Sequence, residues 1–139
     1  LIFPSARIDI GLKLTVNNKN MRFGLLILSI VVVGGVVQSF LPWWSLVVVA
    51  FAGGALLPLR TGAQSLGAGF LAGFLLWGLY AFYLNSLNEG LLAARIGTLL
   101  GGIPAGFLPW LSGIFAGIFA GLGALTGRLG RTLYQPAKE

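Results

Sequence analysis

Residues 23–40 read FGLLILSIVVVGGVVQSF, eighteen positions without a charge. Wound as a helix at about 1.5 Å per residue, this stretch extends about 27 Å, close to the ~30 Å hydrocarbon core of a bilayer. It predicts a transmembrane helix. Met21-Arg22 resembles the basic start of a secretory leader, and Val37-Gln38-Ser39 resembles a small-residue cleavage site. The apolar stretch is nevertheless longer than the usual leader core of about 7–15 residues, which favours a retained span.

Three further spans follow. Residues 42–59 open on Pro42 with Trp43 and Trp44, rings suited to the headgroup boundary, and close on Arg60. The third span runs from Gln64 or Leu66 to Leu84 and finishes in Trp77, Tyr80 and Tyr83, an opposite aromatic belt. The fourth covers 109–126, entered through Trp110 and followed by Arg128 and Arg131. The expected architecture is an all-α integral membrane protein of four transmembrane helices arranged as two hairpins. The membrane domain occupies 21–131, between a tail of residues 1–20 and a cytoplasmic tail of 132–139.

Composition supports the assignment. Of 139 residues, 57% are hydrophobic and 9% charged, and mean hydropathy is +0.93. A soluble surface needs far more charge than this. The net charge of +6 comes from residues that flank apolar segments and form no basic stripe, which argues against a nucleic-acid partner. Arg7, Lys13, Lys19, Arg22, Arg60, Arg128, Arg131 and Lys138 fall on one side of the spans and Arg95 on the other, so both termini are expected in the cytoplasm. A bacterial inner membrane is the expected location.

Residues 87–103 separate spans three and four. Gly90, Ala93, Ala94, Gly97 and Gly101 share one helical face, with Leu91, Leu92, Arg95, Ile96 and Leu99 opposite. A fifth span here would place Arg95 in the bilayer at a cost of ~2.5–3.5 kcal/mol, so an interfacial or re-entrant helix is expected. Residues 8–16 alternate Ile8, Ile10, Leu12, Leu14 and Val16 with more polar positions, the period of a strand, although one strand cannot stand alone. The polar run Asn17–Asn20 leads into Met21, which is the expected natural start, with residues 1–20 an extension.

The pattern F-L-P-W-x-S occurs at Phe40–Ser45 and again at Phe107–Ser112, an offset of 67 residues. Both copies open a glycine-containing segment that closes on an arginine. A parallel repeat of two hairpins accounts for this, and so does the general use of Pro and Trp at helix entries.

The chemical inventory is sparse. There is no Cys and no His, which removes thiolate chemistry and the usual metal ligands and general bases. No acidic or basic residue lies inside the four spans, where proton- or voltage-driven machines need one. No catalytic residue, cofactor or metal is expected. Gly113, Gly117 and Gly121 recur every four residues, with Ala116, Ala120 and Ala124 in step, and Gly69 and Gly73 repeat the device. Such spacing lets helix backbones approach closely, within one chain or against a partner. Asn85, Ser86, Asn88 and Glu89, with Arg95 beyond, form a candidate polar site or simply cap the third helix. Trp43, Trp44, Trp110, Arg60 and Arg128 read as interface anchors, while Gln38 and Gln64 at span ends need no special role. The favoured function is a non-enzymatic membrane subunit or scaffold acting through helix packing with a membrane-protein partner or a second copy. The alternative is a small oligomeric channel or facilitator. An enzyme is disfavoured, because Glu89 would be the lone carboxylate at its end of the spans.

Overall fold

The computed structural model describes the backbone of residues 4–134 and side-chain surroundings from residue 18 onward. The described chain is helical, in the order α1 (Pro4–Gln38), α2 (Ser45–Leu56), α3 (Gly62–Leu87), α4 (Leu91–Leu99) and α5 (Leu108–Tyr134), with a single 3-10 turn, Ala105–Phe107, ahead of α5. Three stretches are long and apolar enough to cross a membrane: Asn18–Gln38, Gly62–Leu87 and Ala105–Tyr134.

The alternating residues 8–16 are helix, not strand, and form part of α1. A helix satisfies its backbone groups locally, whereas a strand in this region has no neighbour to pair with. Residues 1–3 and 135–139, including most of the expected C-terminal tail, lie outside the described residues.

The second apolar stretch is shorter as a helix than its composition predicts. α2 has 12 residues, or about 18 Å of axial length. Pro58 sets its end: a residue before proline is excluded from the helical region, and Leu57 has φ −117° and ψ 63°. At the other end Pro42, Trp43 and Trp44 form turns instead of a first helical turn. Residues 87–103 likewise do not form one helix. α3 runs to Leu87, and α4 holds only 9 residues, about 14 Å and too short to cross a bilayer. Gly101 and Gly102, at φ 89° and 90°, end α4 by turning the Gly102 and Ile103 amides back onto the Gly97 carbonyl.

Helix directions follow from the contacts. Leu66, Phe70 and Phe74 of α3 meet Gly121, Gly117 and Gly113 of α5, an antiparallel pair. Val47 and Phe51 of α2 meet Gly123 and Gly127, so α2 and α5 are parallel. Gly34 of α1 lies against Leu46 and Gly53 of α2 against Leu26 and Ile30, again antiparallel. The four helices therefore run up, down, up and down. Leu26, Ile30, Leu46, Ala50, Ala68, Ala72, Ala120 and Ala124 form the buried core.

Candidate functional site

The tightest packing joins α3 to α5, the most extensive helix pair. A Cβ added to Gly69 or Gly73 would sit 2.5 Å from the Ala120 or Ala116 carbonyl oxygen. In return, a Cβ on Gly113, Gly117 or Gly121 would sit 2.8–3.0 Å from the Phe74, Phe70 and Leu66 carbonyl oxygens. Each helix thus lays glycine against the other's backbone, where dispersion and Cα–H···O contacts accumulate. α5 uses a second pair of glycines for α2: Gly123 abuts the Val47 carbonyl and Gly127 the Phe51 carbonyl. Gly54 of α2 abuts the Ala124 carbonyl in turn.

This seam leaves a cleft. Trp43 packs edge-to-face on Phe119 with ring centroids 5.9 Å apart, and the α2–α5 register continues through Val47–Gly123 and Phe51–Gly127. In this register the backbone of α2, which starts at Ser45, meets α5 only from about its fourth turn onward. Leu108, Leu111, Ser112, Phe115 and Phe119 form a stripe along this uncovered face, walled by Trp77 of α3 and by Trp43 and Leu46, and the space measures about 380 Å³. That volume lies within the range of small-ligand sites. Its lining is almost wholly apolar, with the Ser112 hydroxyl as its one aliphatic hydroxyl group. The site can hold an apolar chain or side-chain cluster, and it offers no acid or base for chemistry.

Gln38 positions two walls of the cleft. The indole N–H of Trp77 donates to Gln38 Oε1 at 3.1 Å, and Gln38 Nε2 donates to the Trp43 carbonyl at 3.3 Å. An indole can only donate, so it must take the amide oxygen and leave the amide nitrogen for the carbonyl. A residue expected to need no role is therefore the link between the end of α1, the turn before α2 and the middle of α3. The signal available in the sequence was a lone amide near the end of the charge-free stretch 23–40.

The two copies of F-L-P-W-x-S lie in different surroundings. Trp43 meets Phe119, whereas Trp110 lies against Phe74 and Phe82. Helix α2 begins only at the final serine of its copy, while α5 begins two residues before Trp110. The α2–α5 register is offset by 76 residues, not by the 67 of the sequence match. A pseudo-two-fold axis along the bundle would hold the two tryptophans at equal depth, and they are not so held.

Asn85, Asn88 and Glu89 end α3. The Gly90 amide donates to the Asn85 carbonyl at 2.9 Å and the Asn88 amide to the Leu84 carbonyl at 3.3 Å. Glu89 adopts φ 53°, a left-handed conformation that favours glycine. Its side chain is exposed, as is Arg95 on α4, while Ala93 and Gly97 form the buried face of that helix. Gly97 packs on the Ile103 carbonyl of its own following turn, not on a neighbouring long helix.

Of the expected anchors, Trp43, Trp44 and Trp110 are exposed at 58%, 50% and 50%, placing them on the outer surface of the bundle. Arg60 is exposed in the α2–α3 link. Arg128 is half-buried: its Nε donates to the Leu59 carbonyl and its Nη2 to the Arg60 carbonyl, each at 2.8 Å. Arg131 Nη1 donates to the Ala55 carbonyl at 2.7 Å and to Leu56 at 3.3 Å. The Ala55 and Leu56 oxygens belong to the end of α2, where carbonyls lack intrahelical partners, and those of Leu59 and Arg60 to the link that follows it. Beyond the topology and anchor roles read from the sequence, Arg131 thus closes the short helix and Arg128 the link that follows it.

Comparison with known proteins gives no matching family model, no matching curated protein and no matching solved structure.

Proposed function

We propose that the chain is a four-span, non-enzymatic subunit of a bacterial inner membrane, with both termini cytoplasmic. It works by receiving an apolar transmembrane segment of a partner protein in the Trp43–Trp77–Phe119 cleft. The observation that carries this reading is the bare stripe of α5 beside a seam whose glycines are already engaged. Helices held by backbone contact form a stiff frame, and the stripe from Leu108 to Phe119 is a face of α5 that this frame leaves uncovered.

The bundle directions support α2 as the fourth span. It runs antiparallel to α1 and parallel to α5; Arg131 satisfies its terminal carbonyls and Arg128 those of the link beyond it, groups that bare hydrocarbon would not tolerate unpaired. α4 suits an interfacial position, with Leu91, Leu92, Ile96 and Leu99 exposed along with Arg95. Lys19, Arg22, Arg60, Arg128 and Arg131 gather at one end of the bundle, as the positive-inside rule asks of a cytoplasmic face. The channel reading draws less support. The centre of the bundle is filled by Leu26, Ile30 and alanines, so any passage would have to form between copies.

Affinity purification of the tagged full chain in mild detergent tests the proposal. A distinct protein should copurify stoichiometrically and be lost from Ser112→Trp, which fills the cleft without touching the glycine seam. A homo-oligomer that conducts solutes in liposomes, or an inert monomer, would overturn it.

A further inference from the structure

A second, polar pocket of about 210 Å³ opens at the basic end, between the start of the apolar part of α1 and the α2–α3 link. Asn18, Lys19 and Arg22 line it from α1, Arg60 from the link, and Gln64 from the first turn of α3. Three cationic side chains therefore surround one small volume. Among residues 18–134 the single carboxylate is Glu89, which ends α3 at the opposite end of the bundle. The pocket carries positive charge that the described side chains do not balance.

Two further features define what balances it. The backbone oxygens of Leu59 and Arg60, which would repel an anion, are taken by Arg128. The link thus turns its basic side chain, not its acceptors, to the pocket. Gln64 Oε1 is buried and finds no donor among the described residues. The ligand must therefore bring anionic oxygens for the cations and a hydroxyl or similar donor for the glutamine. Just beyond Arg22, Leu25 and Leu28 are 46% and 58% exposed, which gives apolar surface beside a charged mouth.

We infer that this pocket binds the phosphodiester of an anionic phospholipid with a hydroxylated headgroup. Lys19, Arg22 and Arg60 hold the phosphate, the headgroup hydroxyl donates to Gln64 Oε1, and the acyl chains lie along α1. Basic recesses between helices at a cytoplasmic face are suited to such headgroups.

The purified full chain in neutral detergent is titrated with phosphatidylglycerol, phosphatidic acid, phosphatidylcholine and inorganic phosphate, and bound lipid is read by native mass spectrometry. Phosphatidylglycerol should be retained at least about tenfold over phosphatidylcholine, with a loss of about fivefold for each cation removed by Arg22→Gln or Arg60→Gln. Gln64→Leu should lower retention of phosphatidylglycerol more than of phosphatidic acid, which has no headgroup hydroxyl. Equal retention of phosphatidylglycerol and phosphatidylcholine would overturn the assignment. So would unchanged binding by an Arg22→Gln, Arg60→Gln double variant of wild-type melting temperature. Displacement of the lipid by equimolar inorganic phosphate would make this a free-phosphate site and overturn the lipid source. If the double variant does not fold, Lys19→Gln at the pocket rim carries the same test.

Discussion

Arg131 donates from Nη1 to the Ala55 carbonyl at 2.7 Å, joining α5 to the end of a helix 76 residues earlier in the chain. It supplies a donor to carbonyls that α2 cannot pair internally, while Arg128 does the same for the Leu59 and Arg60 carbonyls of the link that follows. Hydrogen bonds to a charged donor are worth about 1.5–3 kcal/mol, and the half-buried position of Arg131 favours the lower end. Arg131→Leu should therefore lower the unfolding free energy in detergent by about 1.5 kcal/mol. Arg131→Lys should fall between the two, since it keeps the charge and loses the fork. Equal stability of all three proteins would show that the contact contributes nothing.

The glycine seam separates packing from helix propensity. Gly73→Ala places a methyl against the Ala116 carbonyl, whereas Gly67→Ala in the same helix meets nothing within 4 Å. The first should destabilise by at least about 2 kcal/mol, in the range of overpacked cores. The second should be neutral or stabilising by up to about 1 kcal/mol. Steric trap or denaturant titrations of the two variants, which differ by a few residues in position, measure the seam directly.

Removing either partner of the Gln38–Trp77 hydrogen bond should have the same consequence. Gln38→Leu leaves the indole N–H without its acceptor, and Trp77→Phe leaves the amide oxygen without its donor. Each is expected to cost about 1–3 kcal/mol, and the double variant less than their sum. In Gln38→Leu the cleft should also loosen, seen as a changed tryptophan emission maximum.

The turns around α4 test backbone conformation alone. Glu89 occupies a left-handed position that costs a side chain about 1–2 kcal/mol, so Glu89→Gly should raise the melting temperature. Gly102→Ala should lower it by a similar energy, with sterics excluded because no atom lies within 4 Å of the added methyl. A Glu89→Gly variant that melts lower than wild type would contradict this account.

Much of the fold is legible in the residues, and the parts that are not have definite physical causes. Runs such as 23–40 carry their own length argument, and the four-residue spacing of Gly113, Gly117 and Gly121 marks a close-packing face. What spacing cannot specify is the partner. The opposing face at Leu66, Phe70 and Phe74 contributes carbonyl oxygens, which every residue has, so its side chains give no warning. The extent of α2 is longer in the sequence reading because a proline suits a first helical turn and Leu57 and Leu59 continue the apolar run, although Pro58 and the turns keep both ends out of the helix. That shortening opens the cleft, so the candidate site was hidden with it. Gln38, Arg128 and Arg131 act across 39 to 76 residues of sequence, distances at which no local pattern operates.

The closure of α2 also has an order in time. Its acceptor at Ala55 and the link's at Leu59 emerge from the ribosome 76 and 69 residues before the arginines that satisfy them. At about 5–20 residues per second, α2 waits several seconds or more with exposed carbonyls. During that interval water or the insertion machinery must stand in for Arg128 and Arg131. Premature termination between the end of α3 and residue 128 would therefore leave a fragment whose first three long helices are made and whose α2 end is unable to settle in lipid, a ready substrate for membrane quality control.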